Sequence, residues 1–132
     1  MANQIYPLFL QACLDGESNI DLKDGNVKIT LLSASYVYSP FHQYRTHLTG
    51  VVATSGDLQG KSVVNGFFKA ADITYPGVSG AEIVAFAVWL DTGTASTSRL
   101  VAYIDSNQVA LPLAPTGGDI KQQFDPAGIF AL

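Results

Sequence analysis

The sequence predicts an all-β fold, a single-domain antiparallel β-sandwich or jelly-roll-like barrel over residues 1–132 with one short N-terminal helix. Short apolar runs recur between clusters of Gly, Pro, Asp and Ser, which is the spacing of a sandwich or barrel. Only one segment repeats its apolar residues with a helical period. Strands do not alternate with helices, as a doubly wound parallel sheet would require.

That one helical segment comes first. Tyr6, Phe9, Leu10, Cys13 and Leu14 fall at i, i+3, i+4, i+7 and i+8, with Pro7 suited to the first turn and Gly16 to the stop. The stripe suits packing on a sheet, or alternatively on a neighbouring subunit. Next, Ile20 and Leu22 alternate with polar residues, Asp24-Gly25 offers a turn, and Val27, Ile29 and Leu31 resume the alternation. A hairpin over Ile20–Leu32 is expected. Further strands are expected at Gly50–Ala53, Ser62–Asn65, Ala71–Tyr75, Ile83–Leu90, Leu100–Ile104, Val109–Leu113, Ile120–Phe124 and Gly128–Leu132. Ile83–Leu90 and Leu100–Ile104 are the most continuously apolar, so they belong at the centre. Trp89 should lie in or near the core, with its ring N–H in need of an acceptor.

Composition narrows the function classes. A chain of 132 residues can bury roughly two thirds of the surface its unfolded form exposes, so it folds without metals or disulfides. Its single Cys13 has no partner for an internal disulfide. Only 14% of residues are charged and 48% are hydrophobic, an apolar balance that suggests burial of some surface against other subunits. The net charge is −4 and the seven basic residues are scattered, which argues against a nucleic-acid groove. No apolar run reaches the roughly 20 residues of a membrane span, and no basic flank precedes an apolar core as in a secretory leader. A soluble product made in the cytoplasm, with no membrane partner, is the expectation.

Three motifs invite chemistry. Asp91-Thr92-Gly93-Thr94 follows an apolar run, as in the active-site turn of retroviral-type aspartic proteases, where two carboxylates from a dimer share a proton. In that fold the catalytic loop lies near the start of the domain, and a supporting apolar-apolar-Gly segment follows it. Here most of the chain precedes Asp91 and no such segment follows, so a strand connection is the better reading, with a dimeric protease using Asp91 as the rival. Gly56-Asp57-Leu58-Gln59-Gly60-Lys61-Ser62 has three residues between the first Gly and Gly-Lys where a phosphate loop needs four, and a strand-like run follows. A surface loop is expected there. His42 and His47 are five apart, which fits neither a helical nor a strand metal pair, and no Gly-x-Ser-x-Gly elbow occurs. No catalytic, metal or cofactor-binding residue is assigned.

The segment Tyr36 to His47, YVYSPFHQYRTH, is the strongest candidate for a functional surface. Tyr36, Tyr38, Phe41, Tyr44 and Arg45 supply broad contact area with polar tips and no acid among them, the composition of protein interfaces. Tyr44 and Arg45 are expected to be exposed. The alternative is that Tyr36 and Tyr38 alternate into a core while Phe41 anchors a loop. Tyr36, Tyr38, Tyr44 and Trp89 would also be the stacking residues of a carbohydrate-binding module.

The runs GDLQGKSVVNGFFKAADITYPGVSG, WLDTGTASTSRLVAYID and LPLAPTGGDIKQQFD, with the opening short helix, Gly-rich turn and apolar strand, resemble small proteins encoded among the structural genes of tailed bacteriophages. The similarity covers most of the chain, and none of its motifs is catalytic. The resemblance implies a non-enzymatic virion component, foremost a capsid decoration or cement protein. Its partner would be the major capsid protein of the same particle, and it would form a small homo-oligomer such as a trimer. A tail or head-to-tail joining component is the implied alternative. The apolar ending Ile129, Phe130 and Leu132 would close the chain's own sheet as an edge strand or dock on a partner.

Overall fold

The computed structural model describes residues 4–18, 20–105 and 114–122, and the backbone of 130–131. It is an all-β protein of antiparallel sheets with a single short α-helix among the described residues. Strand β1 (Gln4–Ile5) leads directly into helix α1 (Pro7–Asp15). Pro7 fits the first turn because its missing N–H would have no helical acceptor there. Gly16 ends the helix at φ 67°, where its N–H reaches the Cys13 carbonyl and the Glu17 N–H reaches Ala12. The buried face centres on Phe9 and Ala12, while Leu14, at the end of the expected stripe, is 88% exposed.

The main sheet has the order β1-β8-β7-β2-β3, with β2 at Asn26–Leu32, β3 at Val51–Thr54, β7 at Ala85–Asp91 and β8 at Leu100–Ile104. The two most apolar runs of the sequence therefore pair with each other, and β7 lies at the middle of the sheet. All five residues of β8 and the first six of β7 are buried, so both faces of these strands are covered. β2 joins β7 in an unbroken register from Asn26 opposite Asp91 to Leu32 opposite Ala85.

A second sheet holds β4 (Ser62–Val64), β5 (Phe67–Lys69) and β10 (Phe130–Ala131) in the order β10-β5-β4. Asn65 and Gly66 link β4 to β5 with φ of 52° and 82°, the positive pair that a two-residue hairpin turn demands. The third sheet pairs β6 (Ile73–Tyr75) with β9 (Ile120–Gln122), and the buried Tyr75 hydroxyl donates to Gln122 Oε1 at 2.6 Å across it. The buried apolar residues form one cluster that draws Tyr6 and Phe9, the main-sheet strands, Phe68 and Tyr75 together.

The structure departs from expectation at two points. Residues 20–25 form no strand, so the Ile20–Leu32 hairpin is absent: Asp21 Oδ1 accepts from the Lys23 and Asp24 N–H groups at 3.0 Å, and the Gly25 N–H donates to the Asp21 carbonyl. The side chain of Asp21 has taken the donors that a strand ladder would need. Phe67–Lys69 and Gln4–Ile5 are strands that the sequence did not suggest. The expected strand Val109–Leu113 and the end of Ile120–Phe124 lie outside the described residues.

Gly25 is packed so closely that a Cβ would strike the Asp21 carbonyl oxygen and approach Leu90 Cδ2 at 2.6 Å. Gly25→Ala is expected to destabilise the fold by about 1–3 kcal/mol, read as a lower urea midpoint with an unchanged slope.

Candidate functional site

The aromatic segment is an irregular strap between β2 and β3. Its start is fixed where the Ser33 N–H donates to the Gly50 carbonyl, and its far end where Tyr44 bridges Arg99 at the start of β8. Arg45 N–H donates to the Ser98 carbonyl at 2.8 Å, and Leu100 N–H to the Gln43 carbonyl at 2.9 Å. Between these anchors Ser39 to His42 makes a tight turn. His42 N–H reaches the Ser39 carbonyl, Phe41 N–H reaches Ser39 Oγ, and Pro40 presets the backbone of the bend.

The strap sorts its side chains by depth. Tyr36 is buried and Tyr38 half-buried, and both pack against Tyr103 of β8, while Tyr38 also meets Tyr6 at a ring separation of 5.2 Å. Val37 and Phe41 face outwards at 75% and 82% exposure. Tyr44 and Arg45, expected to be exposed, are half-buried: Arg45 lies over the Trp89 ring at 5.4 Å and Arg99 over Tyr44 at 5.9 Å. Phe41 and Val37 are thus the accessible apolar groups of this segment, and Tyr36 supports them from inside. The exposure of Phe41 fits its place among the interface candidates and not the alternative of a loop anchor. Its place at the tip of a Pro-containing turn is what exposes it.

A row of polar contacts fastens the strap to the helix. The Tyr6 and Tyr36 hydroxyl oxygens are 2.7 Å apart, and Tyr36 Oη is 2.7 Å from His42 Nδ1. With Tyr6 donating to Tyr36 and Tyr36 donating to neutral His42, every hydrogen in the row has an acceptor. His42 stacks on His47, with ring centres 5.3 Å apart and planes 6° from parallel. His47 Nδ1 in turn accepts the backbone N–H groups of Gln43 and Tyr44, each at 3.1 Å. Burial pushes Tyr36 up to about 12 and Tyr6 higher still, so both stay neutral hydroxyls. Burial, with the charge of neighbouring His47, holds His42 below its ordinary 6.5.

The Asp91 turn is occupied by structural bonds. Asp91 Oδ2 pairs with Lys28 Nζ at 2.9 Å, and Oδ1 accepts the Gly93 N–H at 2.8 Å. Lys28 also reaches Asp57 at 3.9 Å. The hydrogen bond from Lys28, then that from Gly93, holds the Asp91 carboxyl below its ordinary 3.8, whereas a proton-sharing dyad raises one of its members. Beyond Asp91 the hydroxyls of Thr92, Thr97 and Ser98 and the Thr94 carbonyl bind one another, closing the connection from β7 to β8. An open cleft of about 440 Å³ adjoins it, lined by Ile20, Asp21, Asp24, Gly25, Asn26, Leu90, Asp91 and Thr92. Among the described residues no group of three or more His, Cys, Asp or Glu side chains converges as a metal site. Trp89 is 6% exposed, with its Nε1–H donating to Thr30 Oγ1 at 2.9 Å, so its ring offers no face for a sugar to stack on. The Gly56–Ser62 loop leads into strand β4, where a phosphate loop would need a helix.

Because the folded pKa of Asp91 is depressed, its contribution to stability is full above 3.8 and lost as pH falls through the lower folded value. Lys28→Met should therefore cost up to about 1 kcal/mol at neutral pH and flatten the acid limb of the stability curve. Urea midpoints measured from pH 7 downwards in both proteins would check this, and parallel curves would refute it.

No family model and no curated protein sequence matches this chain. No helix among the described residues is long and apolar enough to cross a membrane.

Proposed function

We propose that this chain is a non-enzymatic structural component of a tailed-phage particle, a body that binds through its surface and carries no reaction centre. Its particular role in this reading is capsid decoration: a sandwich- or jelly-roll-like block, assembled as a small homo-oligomer such as a trimer, that stabilises the shell by bridging copies of the major capsid protein. The observation that carries the reading is the exposed apolar pair Val37 and Phe41, mounted on a strap that Tyr36 and Tyr6 fasten to the core. A contact residue held on a rigid support loses little freedom on binding. Val63, Val64 and Phe67 of the β4–β5 hairpin add further exposed apolar area. Repetition over a lattice turns modest contacts of this kind into high occupancy.

The resemblance of the sequence to phage structural proteins points to the same class. So does the engagement of Asp91, whose oxygens hold Lys28 and Gly93 and leave the protease alternative without a free carboxylate. Counting this chain per purified particle tests the role. Hundreds of copies are expected for decoration, whereas roughly six to a few tens would place it at the tail or neck and overturn the decoration role. Absence from the particle would overturn the virion reading itself.

A further inference from the structure

We propose that the stacked imidazoles of His42 and His47 are a proton-operated latch on the strap that carries Phe41, closed at neutral pH and released in mild acid. The inference deepens the reading above by assigning regulation to its contact surface, and its biological meaning rests on that reading.

The latch follows from hydrogen-bond inventory. In the row from Tyr6 through Tyr36 to His42 Nδ1, each hydroxyl supplies one hydrogen and the imidazole supplies the final acceptor. A proton on His42 Nδ1 turns that acceptor into a donor. The row then holds one hydrogen more than it has acceptors, and the surplus falls on Tyr36 or Tyr6, which are 5% and 0% exposed. At the second ring the conflict is more direct. His47 Nδ1 receives two backbone N–H groups, from Gln43 and Tyr44, and a proton there sets three donors against one another. The two rings face each other at 5.3 Å, so charging both also places like charges in contact.

Among the described residues, the charged side chains beside the two rings are basic. Arg45 lies in the same short turn as His47, and Arg99 lies across the Tyr44 bridge. From α1 and β8 the groups facing the cluster are the hydroxyls of Tyr6 and Tyr103, with Tyr38 beside them on the strap. The acids nearby are engaged elsewhere: Glu17 pairs with Arg99 at 3.7 Å, and Asp105 acts on the Tyr103 hydroxyl. Burial favours the neutral form of His42, as a closed latch requires.

The sign is fixed. His42 has a folded pKa below its ordinary 6.5, so the latch contributes fully above 6.5 and is lost as pH falls through the folded value. What it releases is local. Gln43, Tyr44 and the Ser39–His42 turn lose their clamp, while β7 and β8 pair through backbone bonds that do not titrate.

The test uses the free chain, so that it does not depend on any particle. Imidazole nitrogen spectra should show both rings as the Nε2–H tautomer at pH 7.5, with His42 gaining its second proton as the pH is lowered towards 5. Amide protection at Gln43 and Tyr44, corrected for intrinsic exchange, should fall at least ten-fold between those values, with Val88 and Ala102 unchanged. In the double variant His42→Asn and His47→Asn, each amide oxygen can replace a ring acceptor without titrating, and protection should persist at pH 5. Equal protection of the wild type at both pH values would overturn the latch, as would an Nδ1–H tautomer on His47 at pH 7.5 or a loss of protection throughout β7 and β8. The tautomer reading needs no variant, so it decides even if the double variant fails to fold. A latch that works in a chain missing from purified particles would sink the virion reading and leave the latch standing. A chain abundant on particles with no change at its strap would do the reverse.

Discussion

Phe86→Ala is expected to cost about 3–5 kcal/mol, a fifth or more of the stability of an ordinary domain. Phe86 is fully buried in β7, opposite Leu31 on one side and Ile104 on the other. Truncation there leaves a cavity between three strands whose backbones are tied in register and cannot close around it. Phe41→Ala removes the same atoms from a side chain that is 82% exposed and should change stability by no more than about 0.5 kcal/mol. Urea titrations of the two variants against wild type, followed by Trp89 fluorescence, provide the comparison. A loss below about 1 kcal/mol for Phe86→Ala would mean that the centre of the main sheet is not where the buried residues place it.

Phe41→Ser is expected to reverse that order when binding is measured. An exposed aromatic at the end of a rigid turn has the properties of an interface anchor, and truncating such an anchor costs on the order of 2 kcal/mol, about 30-fold in affinity per contact. If each subunit binds through one such contact, occupancy on stripped particles titrated with the variant should fall at least ten-fold, with the urea midpoint held. Full occupancy with Phe41→Ser would move the contact surface to the Val63, Val64 and Phe67 edge, which the corresponding changes there would report.

The sequence and the structure agree where one physical signal dominates. The period of 3.6 in Tyr6 to Leu14 could be satisfied only by a helix, and the unbroken apolar runs of β7 and β8 only by the sheet interior. Alternation misled at Ile20 and Leu22 because a competing side-chain acceptor, Asp21, sat between them. Strand β1 has two residues, too few to show any period, and it exists because Gln4 and Ile5 find the edge of β8. Asn65-Gly66 forms the hairpin turn between Val64 and Phe67, so the strand expected at Ser62–Asn65 stops one residue earlier, at Val64.

The candidate segment was legible as composition and not as geometry. Tyr, Phe and Arg without acids marked Tyr36 to His47 as a surface of interest. Which ring turned inwards depended on Tyr6, thirty positions away in the chain from Tyr36, and on Trp89, whose face Arg45 covers. The two histidines looked unrelated because five residues separate them on neither a helix nor a strand. The Ser39–His42 turn and the short helical turn at Arg45–His47 bring them face to face, and no pattern of residue types announces that.

The unbroken pairing of β2 with β7 also sets an order of events during synthesis. Asn26 lies opposite Asp91 and Leu32 opposite Ala85, so β2 leaves the ribosome with its principal neighbour still to be made. Everything between them, the strap and the β4–β5 hairpin included, must emerge before the central ladder can start, and the loop then closed is long. The apolar face of β2, with Val27, Ile29 and Leu31, spends that interval uncovered. Folding is therefore gated by the arrival of residues 85–91, and the nascent chain is most vulnerable to aggregation in the stretch of translation just before them.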